Sequence, residues 1–78
     1  MLVTARLYGD LSKYATETKP SAWKGPLEEG TTVSEFFKII DCPEKKVICV
    51  FRNGLRISGK TILEDSDVFH VLTHLGGG

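Results

Sequence analysis

The sequence predicts an α+β domain, with one sheet of four to five strands packed against one main helix and a short additional helix after the first strand. Three observations predict it. Residues 2–8 alternate in period two, Thr32 opens a capped amphipathic helix, and a β-branched run over 46–52 ends in Asn53-Gly54. Each is a local pattern with a physical cause, and their order along the chain sets the class.

From Leu2 to Tyr8, Val3, Ala5 and Leu7 fall on one face while Thr4 and Arg6 fall on the other, which predicts a half-buried strand. Gly9 breaks it, and Asp10 is placed to cap a short helix through Ala15, with Leu11 and Tyr14 on one side. Thr16 to Pro26 is polar and carries two prolines and a glycine, so it reads as an irregular excursion. Its one large apolar residue, Trp23, is expected to pack over a core edge. Pro26 to Gly30 reads as an edge strand leading into a turn.

Thr32-Val33-Ser34-Glu35 fits a capping box, in which the Thr hydroxyl accepts from the N–H three residues on and Glu35 reaches back. Val33, Phe36, Phe37 and Ile40 then form one apolar stripe at helical spacing. Pro43 cannot continue the helix and restrains Cys42, so the helix should end near Asp41. Lys46 to Arg52 has apolar residues on both faces and reads as an interior strand. Asn53-Gly54 tolerates the positive φ of a tight hairpin turn, Leu55 to Ser58 forms the return strand, and Val68 to Thr73 the last one.

At 78 residues the chain is read as a single domain, residues 1–78, with a flexible glycine-rich tail over 75–78. So short a chain buries about 60–65% of its unfolded surface, which disfavours a deep, self-sufficient active site. Ten basic residues balance ten acidic ones, so neither nucleic acid nor an anionic membrane is expected as the main partner. No apolar run is long enough to span a bilayer, and the first residues lack a signal-peptide pattern. Two cysteines without a C-x-x-C point to a reducing, cytoplasmic setting.

Common catalytic constellations are missing from the sequence. His70 and His74 on a strand would share a face at roughly 13 Å, too far for common ligation, so no metal site and no bound cofactor are expected. Cys49, between Ile48 and Val50, reads as a small core hydrophobe, and Cys42 sits at a helix C-terminus where a thiolate is disfavoured. Glu64, Asp65 and Asp67 read as a solvated or partner-recognising acidic turn.

The tail offers chemistry. Gly76, Gly77 and Gly78 carry no Cβ and fit a channel too narrow for side chains. Three residues reach at most about 10–11 Å, enough to bring a terminal carboxylate into a partner's active site. A carboxylate is a poor electrophile, but adenylation by a partner would give a mixed anhydride that a thiol or persulfide attacks. A frayed terminus remains the alternative reading.

The succession of motifs resembles the ThiS/MoaD family of sulfur carriers. Thr32 to Phe36 is similar to the family's "TV-x-E-L" helix start, Arg52-Asn53-Gly54 to its "V-N-G" hairpin, and Leu63 to Asp67 to its "L-x-D-G-D" turn. Leu7 to Ala15 resembles the "L-F-A-x-L-R-E-Y-A" opening of the MoaD branch, the small subunit of molybdopterin synthase, and Gly77-Gly78 matches the terminal pair. The resemblance implies a ubiquitin-like β-grasp fold with the first and last strands side by side and parallel. It also implies a role: a MoeB/ThiF-like E1-type adenylyltransferase consumes ATP to activate Gly78, a sulfur donor makes the thiocarboxylate, and a molybdopterin synthase large subunit receives the sulfur. The chain would then be a carrier, not an enzyme. A ubiquitin-like modifier joined through Gly78 and a non-catalytic interaction domain are the alternatives.

Ser66 stands where the family has a turn glycine, Arg52 where it has an apolar residue, and Thr73-His74 where it often has prolines, which predicts a less rigid exit for the tail. Phe69 and Val71 should face the helix. Val68, His70 and Leu72 should face outward and, with Leu75 and Gly76, form the partner-binding surface.

Overall fold

The computed structural model describes residues 1–73; His74, Leu75, Gly76, Gly77 and Gly78 lie outside the described residues. Five strands, β1 (Leu2–Leu7), β2 (Ala22–Pro26), β3 (Cys49–Arg52), β4 (Leu55–Ile57) and β5 (Val68–Leu72), form one sheet in the order β2-β1-β5-β3-β4. β1 and β5 are parallel, and every other neighbouring pair is antiparallel. The main helix α1 (Val33–Ile39) packs on one face of this sheet.

Sequence alternation sets which face is buried. Val3, Ala5 and Leu7 of β1 meet Phe69 and Val71 of β5, Val50 of β3, and Val33, Phe36 and Phe37 of α1. Phe36 is fully buried at the centre, edge-on to Phe69 at 5.3 Å between ring centroids. Burial of such a ring contributes about 2–3 kcal/mol. The capping box is complete: the Glu35 N–H donates to the Thr32 hydroxyl at 3.1 Å, and the Thr32 N–H donates to the Glu35 carboxylate at 3.0 Å. That carboxylate is held below its ordinary pKa by the Thr32 backbone N–H, then by the Thr32 hydroxyl. Asn53 and Gly54 both adopt positive φ, closing β3 onto β4.

The structure corrects several boundaries. The segment from Thr16 is not irregular throughout, because Ala22–Pro26 forms β2, paired antiparallel with β1. Residues 27–30 lie beyond it and form no strand. Gly25 and Pro26 look like strand breakers, yet β2 is an edge strand, where missing donors and side chains are tolerated. Gly25 is useful there: a Cβ would meet the Trp23 indole at 2.9 Å. Trp23 thereby lies over the core edge, edge-on to Phe36 at 5.2 Å.

The short helix after β1 is a 3₁₀ segment, Gly9–Tyr14, and Asp10 does not cap it; Tyr8 holds the cap position without a side-chain bond. α1 ends at Ile39, about two residues early, because Asp41 turns into the left-handed region at φ 59°. β3 starts at Cys49, since Glu44–Lys46 forms a second 3₁₀ turn.

Candidate functional site

β5 is the central strand, and it carries the chain toward the C-terminal glycines. Its core face is anchored by Phe69 and Val71, both fully buried. Its other face presents Val68, His70 and Leu72, as their parity predicts, with Val68 42% exposed and the other two half-buried. Of the predicted partner-binding residues, these three come together on the outer sheet face. Leu75 and Gly76, like Gly77 and Gly78, lie outside the described residues.

The end of β5 is held on both sides. The Ile48 N–H donates to the Leu72 carbonyl at 2.8 Å, and the Tyr8 N–H donates to the Val71 carbonyl at 3.3 Å. Thr73 donates its hydroxyl proton to the Lys46 carbonyl at 2.6 Å. Its methyl group lies where a Cβ on Gly9 would approach to 2.8 Å, and Gly9 has a φ of 58°. Thr73 is thus tied to the Lys46 carbonyl, while His74, the other residue standing where prolines were expected, lies outside the described residues.

Around that exit, strand pairing gathers residues that are far apart in sequence. Arg6 of β1 is opposite His70, His70 is opposite Phe51 of β3, and Phe51 is opposite Arg56 of β4. Cys49 is opposite Leu72. Tyr8 stacks on His70 at 5.9 Å, with its hydroxyl 2.8 Å from Nδ1. Arg6, Tyr8, Phe51 and Arg56 escaped the sequence reading. Period-two parity alone puts Arg6 on the outer face, but only the parallel β1–β5 register says what it stands beside.

Cys49 is correspondingly half-exposed, not a core residue, whereas Cys42 is buried within the core. Burial raises the Cys42 thiol above its ordinary pKa, with Lys46 and Lys13 pulling weakly the other way. Among the described residues, neither cysteine has an activating base beside it in a hydrogen bond.

The acidic turn works inside the fold. Asp67 forms an ion pair with Arg52 at 2.8 Å and accepts the Glu64 N–H at 2.7 Å. Asp65 accepts the Leu2 N–H at 2.7 Å, tying the turn to the start of β1. Ser66 sits between them at φ 68°, the left-handed position for which a glycine is the easier residue. The expectation of a solvated or partner-facing cluster is thus corrected for Asp67, whereas Asp65 and Glu64 are exposed, Asp65 with one bond back to β1. Arg52, which replaces an apolar residue of the resembled motif, supplies the counter-charge.

An open cleft of about 480 Å³ between α1 and the β3–β4 hairpin has a mixed lining, apolar at Val33, Phe37, Val50 and Ile57 and polar at Glu44 and Arg56. The Glu44 carboxylate on its rim is engaged by the Ser34 hydroxyl at 2.9 Å. Among the described residues, no group of three or more His, Cys, Asp or Glu side chains converges as a metal site would. No helix of the described residues is long and apolar enough to cross a membrane.

Solved structures resemble this architecture, among them two of one kind. One is SAMP1 from Haloferax volcanii, with a TM-score of 0.71, 16% identity and coverage of 100% of both chains. The other is the H. volcanii small archaeal modifier protein 1, with a TM-score of 0.69 and 17% identity over 90% of this chain and 93% of that one. The fold is the ubiquitin-like β-grasp. No protein-family model matches the sequence, and no curated protein does. At these identities the likeness is one of fold.

Proposed function

We propose that this chain is a sulfur carrier whose reactive group is the carboxylate of Gly78. The observation that carries the reading is the central, doubly anchored β5, which leads from a β-grasp core into a sequence ending Gly76-Gly77-Gly78. An anchored strand and a terminal run of three residues without side chains suit delivery of a carboxylate into an enclosed active site. In the proposed reaction, an E1-like partner transfers AMP from ATP to the Gly78 carboxylate and releases pyrophosphate. A persulfide then displaces AMP to give an acyl disulfide, and a second thiol cleaves it, leaving the thiocarboxylate and a disulfide. In this reaction the chain supplies the attacking carboxylate and its partners supply the catalytic groups, so it acts as a cosubstrate.

The acceptor we favour is a molybdopterin precursor held by a synthase large subunit, from the MoaD-like opening Leu7 to Ala15. A second reading, an isopeptide modifier that uses the same adenylate, is favoured by the name of the structural neighbours, small archaeal modifier protein.

Intact-mass analysis of the chain from its native host separates these. A sulfur carrier shows a fraction in which one oxygen is replaced by sulfur. A modifier shows high-mass adducts that vanish when Gly78 is deleted. A chain lacking Gly77 and Gly78 that keeps every partner and phenotype would leave only a non-catalytic interaction domain.

A further inference from the structure

The cleft between α1 and the β3–β4 hairpin has no part in the carrier chemistry, yet it opens beside the point where the chain leaves β5. Thr73 donates to the Lys46 carbonyl, and the Ile48 N–H donates to the Leu72 carbonyl. Val47 and Ile48, at those two anchors, are themselves wall residues of the cleft. Five residues, His74-Leu75-Gly76-Gly77-Gly78, follow Thr73. Fully extended they reach about 17 Å at most. The far wall, on β4, lies two strand spacings from β5, about 10 Å. The tail therefore starts beside the cleft and is long enough to cross it. The cleft's volume, about 480 Å³, falls in the range of about 300–1,000 Å³ that encloses small ligands.

We infer that this cleft is a docking site for the chain's own C-terminal tail, with Leu75 on its apolar lining and the Gly78 carboxylate beside Arg56. Val33, Phe37, Val50 and Ile57 offer a leucine an apolar surface to leave water for. Near Gly59 the two walls meet, since a Cβ on that residue would strike the Ser34 hydroxyl. A run of glycines suits that end better than side chains do. Charge favours the same occupant. Arg56, on the edge strand, borders the cleft and forms no ion pair among the described residues. Glu44, the carboxylate of the lining, already accepts from the Ser34 hydroxyl. The docking stands apart from the carrier reading, but its consequence rests on it: a carrier that covers its reactive carboxylate until a partner draws it out. One buried leucine and one exposed ion pair stand against the ordering of five residues, three of them glycine, so the latch opens readily.

The test is NMR on the full-length chain, labelled at its Leu, Val and Ile methyl groups. Nuclear Overhauser contacts should join Leu75 to Val33, Val50 or Ile57. They should be lost in Ser58→Glu, which places a like charge at an exposed position of the lining, and in Val47→Asp at the entrance. Thermal melts establish that both variants are folded. Absence of these contacts in the folded wild-type chain overturns the inference and leaves the carrier reading standing. Contacts that arise only between copies, in a mixture of differently labelled chains, overturn it as well. The consequence is read by ATP–pyrophosphate exchange with the host's E1-like enzyme. If the tail is docked in half to nine-tenths of the molecules, freeing it in Ser58→Glu should raise kcat/KM about 2- to 10-fold. An unchanged kcat/KM overturns the latch. Failure of the wild-type chain to be adenylated overturns the carrier reading, while the methyl contacts still support the docking.

Discussion

Asp67→Ala tests whether the acidic turn is structural. Asp67 and Arg52 meet at 2.8 Å with side chains only 15% and 21% exposed, and the same carboxylate oxygen accepts the Glu64 N–H. Removing it deletes a charge-assisted hydrogen bond and leaves a largely buried guanidinium with the Ile62 carbonyl, at 3.3 Å, as its remaining partner. Loss of such a bond with one charge orphaned costs about 2–3 kcal/mol. For a domain of this size that lowers Tm by roughly 10–20 °C. Arg52→Met should cost less, about 1 kcal/mol, since Asp67 keeps its bond to the Glu64 N–H. The double variant has no orphan, so it should be more stable than the sum of the two losses by about 1–2 kcal/mol. Urea and thermal melts followed by circular dichroism read all three values, with the urea m-value unchanged. Additivity within about 0.3 kcal/mol would refute the claim that Asp67 exists to hold Arg52.

Gly9→Ala should destabilise by at least about 1 kcal/mol, because the residue has a φ of 58° and its new Cβ would press on the Thr73 methyl. Hydrogen exchange should show the added opening concentrated at the Tyr8 and Ile48 amides, which hold the end of β5. Thr32→Ala should cost about 1 kcal/mol at neutral pH in urea melts. Glu35 in the same box has a lowered folded pKa, so its contribution is full above the ordinary value of 4.5 and disappears as pH falls through the lowered one. Glu35→Gln should therefore flatten the acid limb of stability against pH below about 4.5, while leaving the rest of the profile in place.

What the sequence disclosed was what its causes keep local. The capping box needs only Thr32 and Glu35, the hairpin only Asn53 and Gly54, and the faces of β1 and β5 only their alternation; all appear in the structure. What it concealed depends on partners distant along the chain. β2 looked unfavourable because Gly25 and Pro26 cost an isolated strand, and only its place at the sheet edge removes the objection. The roles of Asp65 and Asp67 stayed hidden because Leu2 and Arg52, which engage them, lie 63 and 15 residues away. The candidate site divides in the same way: Val68, His70 and Leu72 follow from parity, but Arg6, Phe51 and Arg56 join them only through register.

The split between the two faces bears on how a glycine-ended carrier could be bound at all. Holding a residue's backbone in one conformation costs about 1–2 kcal/mol, and glycine lies at the costly end of that range while offering no side chain in return. On the proposed reading, a partner that positions Gly76, Gly77 and Gly78 must therefore recover the cost from contacts with the folded domain. α1 and the core-facing residues are committed to stability, since Phe36, Phe69 and Val71 are fully buried. The outer face is not. Val68 is 42% exposed there, Arg6 and Arg56 have no ion pair among the described residues, and that face reaches the point where the chain leaves β5. A contact surface at that position orients the tail as well as supplying affinity, because Leu72 lies on it and Thr73 is fixed to the Lys46 carbonyl beside it. Weakening those contacts should then raise the partner's KM for the chain before it touches the chemical step, the pattern expected when binding energy is used for positioning.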